Sequence, residues 1–340
     1  IAKSPMATPV TNLGLRIGEL SNVRISEQYA AVRALSETLI EPLSAEDACV
    51  QSMPDASPAK WHLAHVTWFF ETFALEPHET KFKPFHPAFR ELFNSYYNSI
   101  GEQYPRPDRG MITRPSLAEV IDYRHAVDER VRAAIETADR YLLGIIELGL
   151  HHEQQHQELL LMDIKHLLSL SPLYPCYRDC ARPESRPLES RRPAAFDGGM
   201  VEIGRDGFSF RYDNETPRHK VWLEPFALES RPITNGEYLE FVESGCYELA
   251  SLWLADGWTK NNNEGLRSPL YWRRHHGDWF EFTLGGLEPL DLNAPVCHVS
   301  HYEADAFARW AGARLPSEFE WEAATADLKV EGNTMDSGFL

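Results

Sequence analysis

Two histidines, His152 and His156, stand four positions apart in the leucine-rich stretch Leu150–Asp163, beside Glu153, Gln155 and Asp163. At about 100° of turn per residue, a helix here puts His152 and His156 on one stripe with Gln155, Leu159 and Asp163. Glu153 is turned well to the side. Two imidazoles one turn apart can hold a single cation. A pair of hydrogen-bonded core histidines is the plainer alternative, but the Gln and Asp on the same stripe favour metal.

The same letters spell H-E-x-x-H, in which two histidines bind zinc and the intervening Glu153 would be the general base of a hydrolase. That form predicts a third ligand in the extension H-E-x-x-H-x-x-G-x-x-H. Gln157, Glu158 and Leu159 follow His156 instead, leaving Glu158 or His166 as the candidates.

A third imidazole is available upstream, in Ser57-Pro58-Ala59-Lys60-Trp61-His62-Leu63-Ala64-His65. Helical spacing places Trp61, His65 and Trp68 on one stripe with Ala64 beside them, so His65 shares the inward face. His62 lies roughly 60° from it and is the poorer-placed ligand, although a shift of one residue in phase would exchange the two. Three neutral imidazoles from two helices leave open coordination positions. They suit zinc hydrolysis and non-haem iron–oxygen chemistry equally.

The scaffold for these residues is readable from periodicity. Asn22–Glu41, Trp61–Leu75, Leu117–Ala138 and Asp139–Ser169 carry a 3.6-residue apolar repeat, and Ser116 with Glu119 forms a capping box at a helix start. Four such helices predict a bundle that holds metal between facing helices. A long connection, His78 to Pro115, contains Phe82, Phe85, Phe89, Phe93, Tyr96, Tyr97 and Tyr104 with Arg106, Arg109 and Arg114. Its aromatic content argues against disorder. It is either an aromatic clasp over the bundle or a substrate wall whose arginines meet a carboxylate.

Length and composition bound the rest. At 340 residues with 43% hydrophobic content, the chain suggests two globular domains. No apolar run approaches the roughly 20 residues of a membrane span, and Ile1–Leu13 has no leader-like basic and apolar pattern. The five scattered cysteines form no C-x-x-C pair and read as reduced thiols of a cytoplasmic protein. A net charge of -18 disfavours nucleic acid and leaves small molecules as the expected partners. Pro172–Ala195, rich in Pro and Arg, reads as a linker. Beyond it, Gly198–Gly204 and Pro217–Phe226 read as short strands and Tyr302–Gly312 as a helix. No internal repeat, P-loop or dinucleotide fingerprint is present.

Ser57–His65 and His151–Ile164 closely resemble the DinB-like half of the sulfoxide synthases of ergothioneine biosynthesis, the EgtB type. Gly199–Gly204, Thr234-Asn235-Gly236-Glu237-Tyr238, Pro295–Ser300 and Arg309–Glu322 are similar to the formylglycine-generating-enzyme fold, a C-type-lectin-like module. The resemblance implies an α+β chain of two domains. These are a DinB-like four-helix bundle (1–171), a linker (172–195) and a formylglycine-generating-enzyme-like domain (196–340) that is incomplete at its C-terminus. It further implies a mononuclear iron(II) site on His65, His152 and His156, with O2 as cosubstrate. The reaction would join the sulfur of cysteine or gamma-glutamylcysteine to the imidazole C2 of hercynine, N-alpha-trimethylhistidine, and oxidise that sulfur. A histidine-using relative of the ovothiol pathway is the neighbouring alternative. By position in the family pattern, Gln155 would contact hercynine, Arg106 and Arg109 would clamp the thiol substrate's carboxylate, and Tyr96 and Tyr97 would lie near the oxygen side of the metal. The family's acid-donating tyrosine would fall beyond Leu340, so a further C-terminal segment, in the same or an associated polypeptide, is expected.

Overall fold

The structure is a computed structural model that describes residues 21–179, 188–207 and 209–332. The chain divides into two compact units. One comprises residues up to Ser171 together with the short segment Gly207–Tyr212, and the other holds the remainder.

The first unit is built on four long helices. Helix α1 (Asn22–Ile40) is capped by Ser21, whose side chain accepts from the Arg24 N–H. Helix α2 (Ala59–Phe69) is buried at every position and runs on into a π-helical turn, Phe70–Leu75. A single turn, α3 (Phe89–Leu92), interrupts the long connection. Helix α4 (Leu117–Thr137) starts at the Ser116–Glu119 capping box. Helix α5 (Arg140–Ser169) starts where Asp139 accepts from the Leu142 N–H. Extended Ala138 and the Asp139 cap separate two helices that would otherwise run together. Helix α2 packs against α4 and α5, and α1 against α5 and α4. Where α5 meets the π-helical turn it carries Gly149, and a Cβ there would stand 2.5 Å from the Phe70 ring. The connection between α2 and α4 is an aromatic clasp in part: Phe89 and Phe93 are buried, and Phe85 and Phe89 pack on Tyr123 of α4.

The second unit opens with a broken antiparallel hairpin. Strand β1 (Pro193–Phe196) pairs with β4 (Phe226–Glu229), and β2 (Gly199–Ile203) with β3 (His219–Leu223), with Phe196 opposite Phe226 and Gly199 opposite Leu223. The ladder stops between the pairs because Pro225 has no N–H to donate and Gly198 turns with φ +72°. Any side chain at Gly198 would meet the Leu223 carbonyl at 2.3 Å. Helix α6 (Asn235–Glu243), helix α7 (Ala255–Glu264), the meander β5 (Trp272–His275), β6 (Asp278–Thr283) and β7 (Gly286–Pro289), then α8 (His301–Trp310) and α9 (Glu318–Thr325) complete it. Tyr238, Phe241, Tyr247, Trp253, Trp272 and Phe307 lead its core.

The stretch expected as a linker is not a free tether. Tyr177 is buried and its N–H donates to the Leu284 carbonyl at 2.9 Å, the Tyr174 ring lies tilted 43° to that of Phe282 with centroids 6.1 Å apart, and Pro193–Phe196 is strand β1. Its low aliphatic content hid two aromatic anchors; positions 180–187 lie outside the described residues. Among the described residues no helix is long and apolar enough to cross a membrane.

Candidate metal centre

Helix α2 delivers His65 and helix α5 delivers His152 and His156, and one ligand atom from each lies within 4.8 Å of the others. The ring centroids are 5.0 Å apart for His65 and His152, 4.8 Å for His65 and His156, and 4.6 Å for His152 and His156. No carboxylate belongs to this group.

Each ring is held differently. His65 lies between two indoles, Trp61 at 4.6 Å and 10° from parallel and Trp68 at 5.6 Å and 14°. Its Nδ1 is 2.6 Å from the Phe93 carbonyl oxygen, which can only accept. The proton therefore sits on Nδ1, and Nε2 is the available ligand. His156 Nδ1 is 2.9 Å from His62 Nδ1, and His62 Nε2 is 3.0 Å from Asp163 Oδ2. His152 Nδ1 is buried with no hydrogen-bond partner among the described residues. A coordinated cation is what would satisfy such a group.

Burial keeps all three imidazoles uncharged. It pushes His65 well below the ordinary histidine range, with the neighbouring His152 adding to the effect against the Phe93 hydrogen bond. Burial likewise lowers His152 to about 4 despite the adjacent Glu153 carboxylate. His156 is held low by burial and then by His65 and His152. Neutral imidazole is the form that ligates, so these donors suit a borderline divalent cation such as iron(II) or zinc at neutral pH.

Glu153 has a different occupation from the one its H-E-x-x-H position suggests. Its Oε1 accepts from Arg124 Nη2 at 2.6 Å and Ser36 Oγ at 2.6 Å, and its Oε2 from Arg33 Nη1 at 2.8 Å. Burial alone would raise its pKa, yet Arg124 and Arg33 outweigh burial and hold it at about 2. A carboxylate so engaged is a poor base for a metal-bound water. Of the other candidate third ligands, Glu158 is exposed, and His166 Nδ1 contacts Ser52 Oγ at 2.7 Å, outside the triad.

The remaining candidates fall into three places. Tyr97 and Gln155 share a cavity of about 190 Å³ with His152, walled by Phe69, Phe73 and Tyr212. Burial raises Tyr97 to about 12, so it stays protonated and can donate. Arg106 is exposed, with Nη1 on the Tyr96 hydroxyl and Nη2 on the Asp55 carbonyl, and Tyr96 itself is 71% exposed. Arg109 is buried over the Trp61 indole at 3.4 Å and donates to Ser57 Oγ at 2.9 Å and Ser95 Oγ at 3.0 Å. Tyr212 had no local signal; it reaches the cavity from a segment far along the chain, where Phe210 stacks on His151 with centroids 3.8 Å apart. The His62–His156 contact was foreshadowed only by the i, i+3 spacing of His62 and His65.

Residues 28–160 match the family model described as DinB superfamily, and residues 182–335 match the sulfatase-modifying factor enzyme 1-like domain. The chain is 32% identical over 302 residues to the hercynine oxygenase of Mycobacterium tuberculosis, covering 87% of this chain and 68% of that protein. It is 32% identical over 281 residues to the hercynine oxygenase of Mycolicibacterium thermoresistibile, covering 80% of this chain and 59% of that protein. Against the protein of the same name in Mycolicibacterium smegmatis it is 30% identical over 312 residues, covering 91% and 70% of the two chains.

Proposed function

The chain belongs to the hercynine oxygenase family, and on that premise we propose that it is a non-haem iron(II), O2-dependent sulfoxide synthase. It joins the imidazole C2 of hercynine to the sulfur of cysteine or gamma-glutamylcysteine and oxidises that sulfur. The observation that carries this reading is the group of three uncharged imidazoles, His65, His152 and His156, with ligand atoms within 4.8 Å and no carboxylate among them. The balance is hercynine plus thiol plus O2 giving the sulfoxide and one water: a C–H and an S–H bond are lost, a C–S and an S–O bond form, and O2 takes four electrons. Bound iron(II) would supply the redox chemistry and the open positions for thiolate and O2.

The protein's own groups do the binding and orienting. Neutral ligands offset no metal charge, so an anionic thiolate is accepted without excess negative charge. The cavity beside His152 has an aromatic lining suited to a flat imidazole, with the Gln155 amide and the Tyr97 hydroxyl as its polar contacts. Tyr97, protonated at neutral pH, donates to a substrate or product oxygen. Arg106 has an exposed guanidinium with which to meet the carboxylate of the thiol substrate. Arg109 would join it by exchanging one serine hydroxyl for a carboxylate oxygen.

The test is mass spectrometry of the product after incubation with iron(II), O2, hercynine and each thiol in turn, with histidine in place of hercynine as a further arm. The expected product carries one new C–S bond and one oxygen. Absence of any coupled product from metal-loaded protein overturns the reading, and coupling to histidine alone moves the protein to the ovothiol-type reaction.

A further inference from the structure

His62 lies outside the triad, yet it is buried and touches one of its members. Its two ring nitrogens are both engaged, Nδ1 with His156 Nδ1 at 2.9 Å and Nε2 with Asp163 Oδ2 at 3.0 Å. The same Asp163 oxygen accepts the backbone N–H of Ser57 at 2.8 Å, which pins the carboxylate at the N-terminal approach to α2.

Counting protons settles the direction of this chain. A carboxylate only accepts, so the proton in the second contact belongs to His62 Nε2. With that single ring proton, His62 presents a lone pair at Nδ1, and the proton of the first contact then sits on His156 Nδ1. His156 is left with its lone pair on Nε2. The opposite polarity would set two lone pairs face to face at Asp163, or would put the His156 proton on Nε2 and block it.

We propose that Asp163 and His62 form a relay that locks His156 in the Nδ1–H tautomer and presents its Nε2 to the metal, with His62 as a positioning residue. The proposal rests on the metal reading of the triad. His65 receives the equivalent constraint from the Phe93 carbonyl. An imidazole that donates toward a carboxylate is oriented and made a stronger ligand, and removing such a support weakens metal binding about 10–100-fold. A plain structural role is the alternative, since the same atoms also tie α2 to α5.

The experiment titrates the full-length protein anaerobically with iron(II), and with cobalt(II) as an optical probe. The variants are His62→Leu, His62→Gln, Asp163→Ala and, as reference, His152→Ala. Wild type should bind one ion and His152→Ala should not. His62→Leu should weaken binding about 10–100-fold. His62→Gln should recover most of the loss, because its carboxamide offers an oxygen to His156 Nδ1–H and an N–H to Asp163. In the zinc(II)-loaded wild type, nitrogen-15 NMR should show the proton on His156 Nδ1 and metal on Nε2. Wild-type affinity in His62→Leu, or a His62→Gln as weak as His62→Leu, overturns the relay while the triad stands. Should His62→Leu fail to fold, Asp163→Ala carries the same test, its side chain being 17% exposed in the wild type. Unchanged binding in His152→Ala overturns the metal reading, and the relay with it.

Discussion

Arg124 Nη2 and Glu153 Oε1 lie 2.6 Å apart, with side chains 0% and 1% exposed. The pair belongs to a cluster of ion pairs, in which Arg124 Nε also lies 3.3 Å from Glu37 Oε1. Arg33 donates to both Glu153 and Asp128, and Asp128 also accepts from the Tyr29 hydroxyl at 2.7 Å. Arg33 and Arg124, with Asp128, Glu153 and the half-buried Glu37, therefore cross-link α1, α4 and α5, the last being the helix that carries His152 and His156.

From that pairing we expect Glu153→Gln to cost stability and spare chemistry. Removing one partner of a buried pair leaves the other charge uncompensated, a loss of about 3–5 kcal/mol. Urea unfolding should show it, while turnover per metal-loaded folded molecule stays near wild type. A loss of several orders of magnitude in turnover with full metal occupancy and unchanged stability would instead make Glu153 a general base.

The same carboxylate gives an acid limb to stability. Its folded-state value of about 2 lies below its ordinary 4.5, so its contribution is complete above 4.5 and is lost as pH falls through 2. The integrated effect is about 3 kcal/mol. The difference in unfolding free energy between wild type and Glu153→Gln, measured at several pH values, should narrow in that window. A difference that stays constant down to pH 2 contradicts the linkage.

Helix ends and helix faces were legible because they are local. Ser116 with Glu119 and Asp139 with the Leu142 N–H both depend on residues three apart, and α5 shows its repeat over thirty residues. The triad was legible because His152 and His156 share one helix and His65 stands in an apolar stripe. What lay beyond reach were partners distant in sequence. Glu153 reads as turned away from the histidine stripe toward an inter-helix hydrogen bond, but nothing local to α5 names Arg33 of α1 and Arg124 of α4 as its partners. Tyr212 and Phe210 carry no periodic signal that would send them to His151 and the cavity beside His152. Tyr174 and Tyr177 were masked by the Pro and Arg around them.

Gly149 offers a stability test close to the site. Alanine in a helix interior is favoured over glycine by roughly 0.5–1 kcal/mol. At this position the added methyl meets Phe70 Cε1 at 2.5 Å and Cζ at 2.8 Å and Phe69 Cε1 at 3.0 Å. Overpacking of this kind costs about 1–3 kcal/mol, so the clash outweighs the propensity. Gly149→Ala should melt lower than wild type and bind metal more weakly, because α5 must move away from the helix carrying His65. A variant that melts higher would show that the two rings can step aside.

The cavity beside His152 separates substrate binding from metal binding. Gln155 and Tyr212 line it but are not among the three clustered ligands. Under the proposed function, Gln155→Ala removes a hydrogen bond to the imidazole substrate, a loss of about 1–1.5 kcal/mol, or roughly tenfold in kcat/KM. Tyr212→Ala removes an aromatic wall and should act in the same direction. Both should appear chiefly as a higher KM for hercynine, with the KM for the thiol little changed and one metal ion still bound per chain. Steady-state kinetics with each substrate varied in turn, beside metal analysis of the same samples, gives the readout. If the thiol KM rises and the hercynine KM does not, the cavity is the thiol subsite and the two substrates exchange places in the proposed arrangement. If metal is lost along with activity, Gln155 or Tyr212 supports the ligand cluster, and the cavity is not the substrate site.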